Sequence, residues 1–424
     1  MSSFERGSGD RPALSRCVGY EHSTEFAERF WATTPLLTRA DELPRPFDDL
    51  FSADAADDLI SHRALRTPFF RMAVEGSVLN PSAFTSSGGF GAEIADQVSS
   101  EKVLAEFAAG ATIVLQGLHR TWPPLMDFTR DLAEEIGHPV QVNAYITPAS
   151  SRGFDPHYDV HDVFVLQIAG EKHWTIHEPV HASPLRDQPW SDHREAVAHR
   201  AAGEPHIDAV FRPGDALYLP RGWIHSAEAL GGTSIHLTIG VAAYTRADVA
   251  QTLISRIGDT EALRTSLPFG IDVADTEQLE PIVRLVVAEL QAMLSADMDD
   301  RTVPSRQNHA VSAALARRLA SAAPPEPVLP LATVDAIAAL SGSSVVRWRR
   351  SLRATITSDT EVVRISVGGS AAGHSVVLPA EATEAIRRLA QGDAIAVEAL
   401  PGLDADSALV VVRRLLREAI IVLA

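Results

Sequence analysis

Between Val140 and Val241 the chain is written in short β-rich runs broken by Gly and Pro, and this block constrains the fold more than any other stretch. The runs are 140–146, 163–168, 173–176, 216–219 and 234–239, with turn signals at Gly170, Pro213-Gly214-Asp215 and Gly231-Gly232. Several short strands separated by turns predict an antiparallel sandwich or barrel. Helical spacing flanks the block. It covers 23–31, where Ser23 can cap, then 53–66, 101–109, and 125–136, which Pro123-Pro124 opens and Gly137 stops. Residues 1 to about 20 read as a polar, loosely ordered lead-in.

After Arg246 the texture is helical through 247–257, 281–294 and 308–319, which reads as a helical bundle or dimerisation module. Ala322-Ala323-Pro324-Pro325-Glu326-Pro327 reads as a linker. The remainder mixes helices (334–340, 380–390, 407–419) with strands (362–367, 420–423). A chain of 424 residues is too long for one compact core. The expected division is 1–245, 246–322 and 323–424.

The net charge of −18 argues against general affinity for nucleic-acid backbones or anionic membranes and suits a basic protein or peptide partner. No stretch approaches the roughly 18–20 apolar residues that span a bilayer, and the polar start, Met1 to Arg11, has no apolar signal core. Cytoplasmic residence is the expectation. Cys17 is the single cysteine, so metal chemistry here rests on His and carboxylates. Lys102 and Lys172 are the only two lysines in a chain that otherwise uses Arg, so each needs a reason to be lysine.

The run Asp155-Pro156-His157-Tyr158-Asp159-Val160-His161-Asp162 is followed much later by Leu219-Pro220-Arg221-Gly222-Trp223-Ile224-His225. In extended backbone, residues two apart face the same way, so His157 and Asp159 present an imidazole and a carboxylate to one point, and His225 closes the triangle. Two imidazoles and one carboxylate on one face of iron(II) leave three positions open for a bidentate co-substrate and oxygen. A bare His-x-Asp is a weak signal among sixteen histidines. The strand context, the later Pro-Arg-Gly-x-x-His and Lys172 strengthen it. Lys172, in Gly170-Glu171-Lys172-His173-Trp174, is placed to pair the far carboxylate of a chelated 2-oxoglutarate. Tyr158, His161 and Asp162 stand beside the ligands and could orient them or meet substrate.

From about Ala111 to Tyr244 the chain resembles the JmjC/cupin ribosomal oxygenases, 2-oxoglutarate enzymes that hydroxylate ribosomal proteins. The resemblance rests on Val114-Leu115-Gln116-Gly117-Leu118-His119-Arg120, Gln141-Val142-Asn143-Ala144-Tyr145, His157 through Gln167, Leu217 through Gly222, and Ser234 through Ile239. It implies an α+β protein with a double-stranded β-helix core. It also implies Fe(II) held by His157, Asp159 and His225, with O2 and 2-oxoglutarate as co-substrates and the latter's far carboxylate on Lys172. Asn143, Tyr145 and Thr238 match co-substrate pocket positions, and Gly240 stands where relatives commonly carry Ser. More weakly, Phe26–Leu37 resembles the family's N-terminal segment, the helices after Arg246 its dimerisation domain, and the C-terminal hundred or so residues its winged-helix-like domain. A homodimer acting on a protein, by family a ribosomal protein, is what the resemblance implies.

Three rivals remain. The first is a tailoring hydroxylase of a small ribosomally made precursor peptide. The second is a catalytically silent metal-binding barrel whose winged helix binds DNA. From Pro325 onward, ten Arg stand against eleven Asp or Glu, near neutral and not basic, although Arg347, Arg349, Arg350 and Arg353 cluster around Trp348. The third is zinc hydrolysis, in which Lys172 has no task.

Overall fold

A computed structural model describes residues 11–23, 25–74, 76–91, 93–149, 155–295, 306–368 and 374–424. The chain divides into two compact units, Met1–Ala243 and Tyr244–Ala424.

In the first unit, among the described residues, nine strands form one antiparallel sheet. They are β1 (Leu36–Thr38), β2 (Phe70–Val74), β3 (Ser77–Val78), β4 (Thr112–Leu115), β5 (Val140–Thr147), β6 (Asp162–His177), β7 (Ile207–Phe211), β8 (Ala216–Leu219) and β9 (Ile224–Val241). The order is β1-β8-β6-β9-β5-β4-β2-β3, with β7 on the outer half of β6. The antiparallel sheet matches the expectation, and it recruits β1, β2, β3 and β4 from outside the β-rich block. Val163, Val165, Trp174, Ile176, Leu217 and Leu219 pack into one core layer with Phe211 and Trp223, the inward set of alternating strands.

Two turn expectations need correction. Gly170 and Gly231-Gly232 do not end strands; they lie inside the long strands β6 and β9. The pairing of these strands is offset between Leu230 and Ile235, so both bend without breaking. Gly170 takes φ +64°, and a Cβ there would lie 2.2 Å from the Thr233 carbonyl oxygen, so the bend needs glycine for conformation and for space.

The lead-in is also more ordered than its polarity suggested. Residues 1–10 lie outside the described residues, but Pro12–Val18 is a helix with Leu14, Cys17 and Val18 fully buried. Its polar residues are paired. The Ala13 and Leu14 amides donate to the Glu135 carboxylate at 3.1 and 2.8 Å, and Arg16 forks onto Asp49 at 2.8 and 2.7 Å. The 23–31 helix shortens to Phe26–Arg29, because Ser23 closes a preceding helical turn, Tyr20–Ser23, and does not cap. Pro123–Ile136 is helical and ends at Gly137 with φ +73°, as expected. The 53–66 helix stops at His62.

In the second unit, helices Arg246–Ile254, Thr276–Ser295 and Arg306–Ala322 precede a region of mixed elements. Thr276–Ser295 starts more than a turn before Pro281, which it carries inside. Two three-stranded sheets follow, Val345–Trp348 with Ile395–Ala396 and Ile421–Leu423, and Ala354–Ser358, Val362–Val367 and Ser375–Pro379. Helices Thr383–Leu389 and Ala405–Arg417 close over Val346, Val363, Ile365, Ile386, Leu389, Val412 and Leu415. Part of the arginine cluster is spent internally, since Arg347 makes a two-pronged bond to Glu326 at 2.7 Å on each prong.

Candidate metal centre

The structure brings His157, Asp159 and His225 together, with one donor atom from each within 4.8 Å of the others. Backbone bonds hold the arrangement. The His157 amide donates to the His225 carbonyl at 3.2 Å and the His225 amide returns to the His157 carbonyl at 2.8 Å. The Gly222 amide donates to the Asp159 carbonyl at 3.0 Å, and the Arg221 amide donates to the buried Asp162 carboxylate at 2.8 Å. Asp162 thus ties the Pro-Arg-Gly turn to the His-x-Asp segment, while Tyr158 turns away to donate to the Gln188 carbonyl at 3.1 Å.

Each imidazole is oriented by its second nitrogen. His157 Nδ1 lies 2.7 Å from the Asp155 carbonyl and His225 Nδ1 lies 3.1 Å from that of Trp223. A carbonyl only accepts, so both Nδ1 atoms carry the proton and both Nε2 lone pairs are left for a metal. Burial and the neighbouring His157 push the His225 imidazole down to about 4, which keeps it neutral as a ligand requires. Burial alone would raise Asp159, but the surrounding imidazoles of His225, His161 and His157 hold its carboxyl below the ordinary value. Two imidazoles and one carboxylate fit a divalent iron with open positions.

The triad opens on a cavity of about 270 Å³. At its deep end Lys172 is 3% exposed, and its ammonium touches Thr147 Oγ1 at 3.3 Å and His236 Nδ1 at 3.5 Å. Burial pushes it down to about 7, and among the described residues no carboxylate pairs with it. An ammonium withdrawn from water onto neutral partners leaves a place for an anion, so the donor set fits a dicarboxylate as well as a metal.

Tyr145 and Thr238 line this cavity. Asn143 does not appear in the lining; its Oδ1 accepts from the Gly117 amide at 3.0 Å and its side chain bonds the Tyr145 hydroxyl. At Gly240 a Cβ would fall 2.7 Å from His161 Cδ2, so the His161 ring occupies the room a serine side chain would take.

Sequence reasoning missed Thr147, His236, Arg71 and Trp190, all of which line the cavity. Thr147 and His236 were within reach of the alternation rule, being two residues from Tyr145 and Thr238. His236 stacks on Tyr145 with ring centroids 5.1 Å apart. Trp190, with the Arg194 guanidinium 4.5 Å above its ring, opens a single 3-10 turn, Trp190–His193, too short to give a periodic signal.

Residues 124–249, which carry most of this sheet and the three clustered donors, match the JmjC domain family. The resemblance read from the sequence extends to particular proteins. The chain is 37% identical to ribosomal oxygenase 1 of Rattus norvegicus over 137 residues, 31% of this chain and 22% of that protein. It is 28% identical to the bifunctional lysine-specific demethylase and histidyl-hydroxylase NO66 of Culex quinquefasciatus over 224 residues, 51% of this chain and 32% of that protein. The matched region thus spans a third or less of these relatives' length. Among solved structures, the Escherichia coli ribosomal oxygenase YcfD shares the fold with a TM-score of 0.50 at 17% identity, covering 94% of this chain and 97% of that one.

Proposed function

We propose that this chain is an Fe(II)- and 2-oxoglutarate-dependent oxygenase that hydroxylates an amino-acid side chain of a protein, a ribosomal protein being the first candidate. The observation that carries the reading is the pairing of a His-Asp-His donor set with a buried lysine that has no carboxylate partner among the described residues, in one cavity. The relatives' names, ribosomal oxygenase and histidyl-hydroxylase, support the substrate class.

When bound, iron, oxygen and 2-oxoglutarate supply the oxidation: the co-substrate is decarboxylated to succinate and one oxygen atom enters a substrate C–H bond. His157, Asp159 and His225 would hold the metal. Lys172 would take the far carboxylate, while Tyr145 and Thr238 line its path and Asn143 steadies Tyr145. Val163, Val165 and Leu219 keep that part of the cavity apolar, which limits water around the reacting groups. Zinc hydrolysis leaves Lys172 without work.

The wider assignments belong to the same proposal. They are a catalytic domain over 1–245, a dimerisation domain over 246–322 and a winged-helix-like domain over 323–424. Val283, Leu285 and Val287 are exposed on Thr276–Ser295, which favours a homodimer through that helix. No helix among the described residues is long and apolar enough to cross a membrane. Cytoplasmic residence is part of the same proposal.

The test is turnover of 2-oxoglutarate to succinate with added iron(II), followed by incubation with ribosomal proteins and mass spectrometry. A gain of one oxygen on a ribosomal protein is expected. Turnover without any such gain, but with a gain on a precursor peptide, would move the substrate assignment to a peptide-tailoring enzyme. Light scattering reads the dimer.

A further inference from the structure

The cavity holds a second cation. Arg71 on β2 stands directly opposite Val114 on β4, Val114 opposite Tyr145 on β5, and Tyr145 opposite His236 on β9. Directly opposed residues of antiparallel neighbours share a face, so the four form one row across the sheet. The contacts follow it: the Arg71 guanidinium bonds the Tyr145 hydroxyl, Tyr145 stacks on His236 within 3° of parallel, and His236 Nδ1 lies 3.5 Å from the Lys172 ammonium. The row therefore runs from one cation to the other through two stacked rings.

Arg71 resembles Lys172 in what it lacks. Its Nε is buried with no hydrogen-bond partner, and among the described residues no carboxylate pairs with it. A half-buried guanidinium lining a cavity, with its Nε withdrawn from water and unpartnered, gains from an anion that meets it, and its planar fork suits a carboxylate. Of the side chains lining the cavity, two are cations, Arg71 and Lys172, against one carboxylate, Asp159, which belongs to the metal triad. That surplus of basic side chains suits a dianion, which favours the charged form of both.

Resting on the function proposed above, we propose that Arg71 is a second binding residue for the dicarboxylate co-substrate, so that Lys172 and Arg71 hold it together. Arg71 joins Tyr145 to the binding task, because the two are hydrogen-bonded and both line the cavity. Loss of Lys172 alone then weakens the co-substrate without abolishing its binding.

The test is equilibrium binding by tryptophan fluorescence, since Trp174 and Trp190 line the cavity, and by calorimetry on the Mn(II)-loaded full chain. The ligands are 2-oxoglutarate, 2-oxobutanoate, which keeps only the keto-acid end, and glutarate, which lacks the keto group. Arg71→Gln is expected to weaken 2-oxoglutarate at least about tenfold, the loss of a charge-assisted pair. Arg71→Lys should fall between, and the double variant with Lys172→Ala should bind no measurable 2-oxoglutarate. A matching loss for 2-oxobutanoate puts Arg71 at the keto-acid end, and a matching loss for glutarate alone puts it beside Lys172. Binding by Arg71→Gln within about twofold of wild type for all three ligands, in a protein that melts like wild type, overturns the inference. Wild-type protein that binds no 2-oxoglutarate overturns the proposed function itself. If Arg71→Gln fails to fold, Arg71→Lys decides: unchanged 2-oxoglutarate affinity counts against the inference.

Discussion

His157 and His225 exchange backbone hydrogen bonds in both directions, 3.2 and 2.8 Å, and their rings stand 4.5 Å apart between centroids. The two segments that carry the proposed ligands are thus joined as a short bridge that needs neither side chain. Removing a ligating side chain should leave the bridge and the fold in place. His157→Ala is expected to lower metal affinity by at least about 100-fold, above the range for groups that merely support a ligand. Manganese titration followed by electron paramagnetic resonance reads the affinity, and an unaltered cooperative melt beside lost binding separates site from fold. Full metal occupancy in the variant would remove His157 from the ligand set.

Lys172 carries a pH signature. Its ordinary value of 10.5 falls to about 7 on burial, so near pH 8 most of the free protein holds it neutral. A carboxylate placed against the ammonium favours the charged form. Binding of 2-oxoglutarate near pH 8 should therefore take up close to one proton, an uptake that shrinks below pH 7, where the lysine is already charged. Calorimetry in buffers of different ionisation enthalpy measures it. Lys172→Ala should show no uptake, and its apparent KM for 2-oxoglutarate should rise by roughly ten- to hundredfold, as expected for a charged hydrogen bond of about 1.5–3 kcal/mol.

The clustering of His157, Asp159 and His225 and the singling out of Lys172 could be read in the sequence because each sits in a short run of local pattern. His157 and Asp159 lie two apart, His225 ends a Pro-Arg-Gly turn, and Lys172 is rare in its own composition. Arg71 could not be read this way. It sits on β2, outside the β-rich block, and reaches the cavity only because β2 pairs with β4 and β4 with β5, a long-range register that no local period encodes. The same limit explains the helix at Pro12–Val18, whose amides are capped by Glu135 from far along the chain. The long bent strands escaped for the opposite reason: Gly170 and Gly231-Gly232 carry turn chemistry, and the sheet uses it for a bend.

Gly222 takes φ +90°, and a Cβ there would meet the His181 carbonyl oxygen at 2.7 Å and Pro184 Cδ at 2.9 Å. Its amide is also the donor to the Asp159 carbonyl. Gly222→Ala should destabilise the protein by about 1–3 kcal/mol through backbone strain and collision. Because the strain falls on the turn between the two ligand segments, metal affinity should drop with stability. Thermal melts with and without Mn(II) read both, and a variant that melts lower yet binds metal as wild type does would show that the turn does not position the triad.

In the second unit the Glu326 carboxyl is pulled from its ordinary 4.5 to about 2, first by the two-pronged bond from Arg347 and then, against burial, by the Arg350 amide. A folded value below the unfolded one means that folding favours the charged form. The contribution is complete above about pH 4.5 and is lost as pH falls towards 2. Both side chains are about one-fifth exposed, so solvent screening trims the gain to about 1–2 kcal/mol. Glu326→Gln should lower stability by that amount near pH 7, and the difference from wild type should close as the pH approaches 2. Denaturant unfolding of both proteins across that range measures the gap. A gap that stays constant from neutral pH down to pH 2 would assign the effect to packing at position 326 and not to the charge on Glu326.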